Sequence, residues 1–233
     1  MSALLVALLS TLSPVWSGAG EMTTATNATT TSTLLLTSTT TTTMKRVATT
    51  TTTINAGLLP QTSTEPSLAT QPGSHLYSSM DKLWNDILAN NTRQADTMMF
   101  PELAYEKLKA IPYPQSDYVN RLQYLFNLDI GAYRRFLLAK GTPVFLRVVT
   151  SPEDAQWIPV GACYNKIGYW HLPGVRFVYH YGSTINSVGV LSMISWRGQW
   201  YFIHLGQYTA TGVVGQIYDY SVGPGDPGPA GSC

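Results

Sequence analysis

Apolar side chains return every three or four residues from Met80 to Leu137, and alternate with polar ones from Val144 onward. The first regime predicts helices. Met80, Leu83, Trp84, Ile87 and Leu88 form one helical stripe, with Ser78 or Ser79 as its N-cap. Pro101 suits the first position of a second helix carrying Leu103, Leu108 and Ile111. A third helix begins near Ser116, repeats Tyr118, Leu122, Leu125, Phe126, Ile130, Tyr133 and Leu137, and stops at Gly141.

The second regime predicts strands. Val144–Val149 is the first. Ile167–Leu172 and Val175–Tyr181 flank Pro173-Gly174, a pair suited to a type II turn. Val188–Trp196 and Gln199–Leu205 flank Arg197-Gly198, a two-residue hairpin in which Gly198 takes positive φ. Val213–Tyr220 is read as a last strand. The expected fold class is therefore α+β, with three N-terminal helices packed on a curled antiparallel sheet. If Trp196 opposes Gln199, both faces of that hairpin are substantially apolar. One face must pack on the helices; the other lines a cavity or meets a second surface, such as another copy of the chain.

Composition sets the expected boundaries. Residues 23–64 contain twenty threonines and few large apolar side chains, so burial there does not offset ordering entropy of roughly 1–2 kcal/mol per residue. Residues 21–76 are read as a disordered Thr-rich stalk, 77–222 as a single domain and the Gly/Pro-rich 223–233 as a disordered tail. Residues 1–20 combine the apolar run Ala3–Leu9 with Ser17-Gly18-Ala19, the pattern of a signal peptide, which places the protein outside the cell or at its envelope. That run is too short for a transmembrane segment.

Charge and motifs narrow the chemistry. The net charge is +1 and charged residues make up 12% of the chain, which argues against nucleic acid as a partner. Four histidines form no metal-ligand spacing and no nucleotide-binding or nucleophile-elbow motif occurs, so neither metal nor cofactor is expected. Asp129, between the apolar positions 126 and 130, and His204, beside Trp200 and Phe202, are the weak candidates for a general base. Asp117 and Arg121, at i,i+4, read as an exposed ion pair. Across the expected Pro-Gly hairpin, Tyr169, His171 and Arg176 share a polar face that could bind an anionic or sugar group, with Trp200 as a further ligand-binding candidate. Cys163 and Cys233 are the two cysteines, available for a disulfide in an oxidising compartment.

Helices followed by a curled sheet ending in Trp196-Arg197-Gly198-Gln199-Trp200 resemble the NTF2-like (SnoaL-like) cone superfold. A second resemblance, to an uncharacterised group of exported actinobacterial proteins, rests on Trp84, Phe100-Pro101, Ala104-Tyr105, Lys109-Ala110-Ile111, Asp117-Tyr118 and Arg121-Leu122. It continues through Tyr164–Trp170, Ile194–Tyr201 and His204-Leu205. That group implies compartment and fold but no activity. The expected function is a non-catalytic exported module binding a small ligand or an envelope protein. The alternative is a small NTF2-like enzyme acting on an apolar ligand with Asp129 or His204 as base.

Overall fold

The structure, a computed structural model, describes residues 54–207 and 213–229, all within the unit Thr51–Cys233. The expected signal peptide, most of the Thr-rich stretch and Cys233 lie outside the described residues. Among the described residues no helix is long and apolar enough to cross a membrane.

Among the described residues a 3-10 turn at Ala56–Leu58 and four helices precede the sheet. Helix α1 spans His75–Ala89, capped by the Ser74 hydroxyl accepting from the Tyr77 N–H and closed by Asn90 in the left-handed region. Helix α2 is the short Thr92–Asp96, and α3 is Glu102–Leu108 with Pro101 at its N-cap. Helix α4 covers 114–138 in three parts: an α turn at Pro114–Asp117, a π segment at Tyr118–Gln123 and an α-helix at Tyr124–Leu138.

Six strands form one antiparallel sheet: β1 Val144–Val149, β2 Gln156–Ile158, β3 Tyr169–Tyr181, β4 Thr184–Trp196, β5 Gln199–His204 and β6 Tyr218–Val222. The two thirteen-residue strands β3 and β4 form its centre. β1 and β2 share the free side of β3, while β5 and β6 share the free side of β4. These outer strands do not pair with each other, so the sheet is open and uncurled.

This corrects the expected fold. Four helical segments and an open sheet replace three helices on a curled cone, and the NTF2-like resemblance is overturned. A mixed α+β domain with an open sheet stands in place of the NTF2-like, envelope-bound domain suggested by sequence. The physical reason lies at Pro173-Gly174. The sequence predicts a turn there, yet β3 runs straight through, pairing Leu172 with Met193, Pro173 with Ser192 and Val175 with Val190. Gly174 takes φ +60 inside the strand, and a Cβ there would fall 2.0 Å from the backbone nitrogen of Gly228. Its conformation seats the C-terminal segment. The chain instead reverses at Gly182, joining two long strands, and the short hairpin expected at Pro173-Gly174 is absent.

The core lies between helices and sheet. Trp84 of α1 meets Phe145, Phe177 and Tyr179 at ring-centroid distances of 5.2–5.6 Å, and Phe126 of α4 meets Phe202 at 6.5 Å. The Arg197-Gly198 turn joins β4 and β5 with Trp196 opposite Gln199, as the pattern predicts. Both turn residues have positive φ, +53 and +74, the geometry of a type I′ hairpin. A Cβ on Gly198 would meet open space, so Gly198→Ala isolates the backbone penalty. It should cost about 1 kcal/mol in urea denaturation, and an unchanged midpoint would refute the turn assignment.

The domain extends beyond 77–222 at both ends. Residues 54–68 form a strap across the β4–β5 end of the sheet. The Trp196 indole donates to the Ala56 carbonyl (2.8 Å), Trp170 to Ser63 (3.0 Å) and Trp200 to Ser67 (3.2 Å). Arg197 adds a bond from its guanidinium to the Pro60 carbonyl, and Gln61 bonds the Ser195 carbonyl and the Arg197 N–H. At the other end, Gly228 donates to the Gly174 carbonyl and Asp226 accepts from Arg176. Most of these bonds run to backbone groups, which composition does not report.

Candidate functional site

A cavity of about 540 Å³ opens where the C-terminal end of α3, the π segment of α4 and the loop before β3 face the sheet. Its helical wall is set by backbone staples. Past the end of α3, Ala110 donates to the Tyr164 carbonyl and Lys166 to the Leu108 carbonyl, both at 2.7 Å. These bonds hold extended Lys109 against the loop, where its ammonium donates to the Cys163 carbonyl at 3.0 Å. Cys163 and Tyr164 both lie in the left-handed region, at φ +52 and +55, an uncommon and strained pair for residues with side chains.

The π segment brings Arg121 and Leu122 to the same wall. Arg121 grips Asp117 through two bonds of 2.6 Å, and Tyr105 donates to Asp117 at 2.5 Å while accepting from Arg121 at 3.0 Å. The sheet supplies the opposite wall: Tyr169 and His171 from β3, Ser192 and Ile194 from β4, Ile203 and His204 from β5. A register shift between Ser192 and Met193 places Ser192 opposite His204, while its hydroxyl contacts His171 Nε2 at 2.7 Å.

Burial and the Asp117–Arg121 pair shape the electrostatics of the pocket's described groups. Arg121, followed by Tyr105, holds Asp117 below the usual carboxylate range against the opposing effect of burial. Burial and then Arg121 lower the proton affinity of Lys109. Burial alone lowers His171 to about 4. Burial, then Arg121 and Lys109, brings His204 to about 4 as well. Both imidazoles are therefore neutral at neutral pH. A neutral His171 beside Ser192 forms a hydrogen bond rather than a charged catalytic pair.

These shifts predict a pH dependence of stability. Unfolded imidazoles take up a proton near 6.5, the folded ones only near 4. Between those values the unfolded state binds more protons, so stability falls as pH falls. Asp129 opposes this: burial raises it to about 6, so from 6 down to 3.8 the folded state binds more protons and gains stability. Two histidines outweigh one carboxylate. Net loss from pH 6.5 to 4 should be roughly 2–3 kcal/mol after allowing for solvent screening. Urea midpoints across this range should fall, and His204→Gln should flatten the slope; an unaltered slope would contradict the assignment.

The structure divides the residues singled out by sequence. Tyr169, His171 and His204 meet in the cavity, and Cys163 borders it. Arg176 does not join them. With no hairpin at Pro173-Gly174, His171 pairs with Ile194 and Arg176 with Gly189, five residues along β3 and on the opposite parity. Arg176 is fully buried and bonds Ser187, Asp219 and the Asp226 carbonyl, so it clamps β6 and the C-terminal segment. Trp200 is buried under the strap. Asp129 accepts from the backbone N–H groups of Gly206 and Gln216, each at 2.8 Å, and ties that loop to α4 without lining the cavity. Cys163 is disulfide-bonded; Cys233, the other cysteine of the chain, lies outside the described residues.

Sequence reasoning missed Tyr105, Lys109 and the cavity role of Asp117–Arg121. That ion pair is not freely exposed: its side chains are 23% and 34% accessible and it is joined to a buried tyrosine. One signal was available. Tyr118, Leu122, Phe126 and Ile130 recur at a strict spacing of four, wider than the 3.6 residues of an α-turn, and a π segment absorbs the difference. No protein family, curated protein or solved structure matches this chain.

Proposed function

We propose that the domain is a non-catalytic binding module that takes a small, largely apolar ligand into this cavity. The observation that carries the reading is the convergence of a few polar groups, from α3, α4 and three strands, on a space of about 540 Å³ otherwise walled by Leu122, Ile158, Ile194 and Ile203. Sites for small molecules have this composition and fall between about 300 and 1,000 Å³. The chemistry of the base candidates favours binding over catalysis. Both oxygens of Asp129 accept backbone bonds away from the cavity. His204 borders it, but a group protonated only near 4 is a weak base at neutral pH.

Titration of the isotopically labelled chain with eight-carbon alcohols and acids, followed by NMR, tests the reading. Shifts should concentrate on Tyr105, Tyr169, His171 and His204. Ile194→Trp, which narrows the space, should weaken them. Perturbation confined to the outer surface, or binding wholly unchanged by Ile194→Trp in a folded variant, would overturn it.

A further inference from the structure

The strap over the β4–β5 end is held as a separate peptide would be. Trp196 stands opposite Gln199 and Trp200 opposite Ser195, so their rings leave opposite faces of the sheet. Residues 54–68 therefore wrap the end of the hairpin, bonded to Trp196 on one face and to Trp200 on the other. The groove is shaped to this segment. Lys107 of α3 donates to the carbonyls of Gly57 and Leu58 at 2.8 and 2.7 Å. A Cβ on Gly57 would fall 2.8 Å from the Ala104 nitrogen and 2.9 Å from the Leu103 Cβ, so glycine alone fits there. Pro66 is buried farther along.

The linker between strap and α1 is of another kind. The bonds of residues 69–73 are local: the Ala69 N–H donates to Ser67, and Ser74 donates to the carbonyls of Ala69 and Gln71. Gln71, Pro72 and Gly73 are exposed. Gly73 turns the chain at φ +90, with open space where a side chain would stand. One exposed turn thus decides which way the strap leaves α1.

We propose that the groove at the end of the β4–β5 hairpin binds residues 54–68 of a second copy of this chain, so that two chains associate by exchanging straps. Each bond that the strap makes to its own groove is offered unchanged by the groove of the other copy, and the closed and exchanged forms differ only at the 69–73 turn. A short tether gives a chain's own strap an effective concentration in the millimolar range. Exchange therefore takes over at high protein concentration, or when the turn is opened. None of the side chains that bond the strap lines the cavity, so exchange is independent of the ligand-binding reading.

Light scattering across a dilution series of the full chain tests this, with Gly73→Pro as the variant. Proline excludes a φ of +90, and the exposed site leaves its ring room. Gly73→Pro should dimerise at a concentration about tenfold or more below that needed by the unaltered chain, because the closed turn depends on positive φ. Adding Gly57→Val, which bars the strap from any groove, should return that chain to monomer. A folded Gly73→Pro chain that stays monomeric up to about a millimolar, or a dimer that persists with Gly57→Val, would overturn strap exchange. Should Gly73→Pro not fold, two differently tagged populations of the unaltered chain decide. Mixed at about a millimolar in dilute urea and returned to buffer, they should co-purify, and an excess of the 54–68 peptide should prevent it. Separate recovery, or co-purification indifferent to the peptide, would equally overturn the exchange.

Discussion

A chain that begins at Ala69, which keeps the Ser74 cap of α1, should be far less stable than one that begins at Ile54, because the strap covers the tryptophans at the β4–β5 end. Trp196 is inaccessible to solvent and Trp200 nearly so, and each donates its indole N–H to a strap carbonyl. A tryptophan buries ~150–250 Å². Uncovering half of each ring, at ~25 cal/mol per Å², costs about 4–6 kcal/mol. Whole domains have a net stability of about 5–15 kcal/mol, so the shorter chain should lose much of its margin. Urea unfolding of the two chains, followed by tryptophan fluorescence, measures the difference. Coincident transitions would show that the strap is an ornament on a domain that starts at α1.

The second large effect concerns the Arg176 clamp, and its sign of asymmetry matters more than its size. Arg176 is fully buried, whereas the Asp219 side chain is 46% exposed. Asp219→Asn removes the countercharge and leaves a guanidinium stranded in the sheet, which should cost about 3–5 kcal/mol. Asparagine tolerates the φ of +44 at this position, so the backbone is not a confounding strain. Arg176→Met removes the buried charge itself, and Asp219 can turn to water. Its cost should be smaller, about 1–3 kcal/mol, from the bonds lost by Ser187 and the carbonyls of Asp219 and Asp226. Equilibrium unfolding of the two variants should rank Asp219→Asn as the worse. The reverse order would mean that the clamp acts through packing rather than charge.

Local patterns were legible wherever local physics decides. Strand β1 has the bounds that alternation predicts, α1 follows its apolar stripe, and Arg197-Gly198 makes its turn because the sheet's twist and positive φ coincide there. Pro173-Gly174 carries an equally clear turn signal and does not turn. The ladder from β3 to β4 holds it extended, and the backbone of Gly228 occupies the place a side chain would need. That partner lies more than fifty residues away and is itself glycine, so periodicity had no access to it. The site was legible by halves. Tyr169, His171 and His204 were visible as polar residues among apolar ones on strands. Arg121 read as half of an exposed ion pair and Lys109 carried no reading of its own; both became cavity groups through the staples at 108–110 and the widened turn at 118–123.

The strap also bears on how this sequence can diverge. The tryptophans and Arg197 bind it through the main-chain carbonyls of Ala56, Pro60, Ser63 and Ser67, groups that every amino acid supplies. Apart from buried Gly57 and Pro66, Ala56 and Leu68 against the core, and Gln61, whose side-chain amide bonds the Ser195 carbonyl and the Arg197 N–H, the attachment runs through carbonyls whose spacing along the chain sets the fit. At 58–60 and 62–65 a change of side chain should therefore cost little, whereas inserting or deleting one residue there would move the carbonyls out of register with the tryptophans.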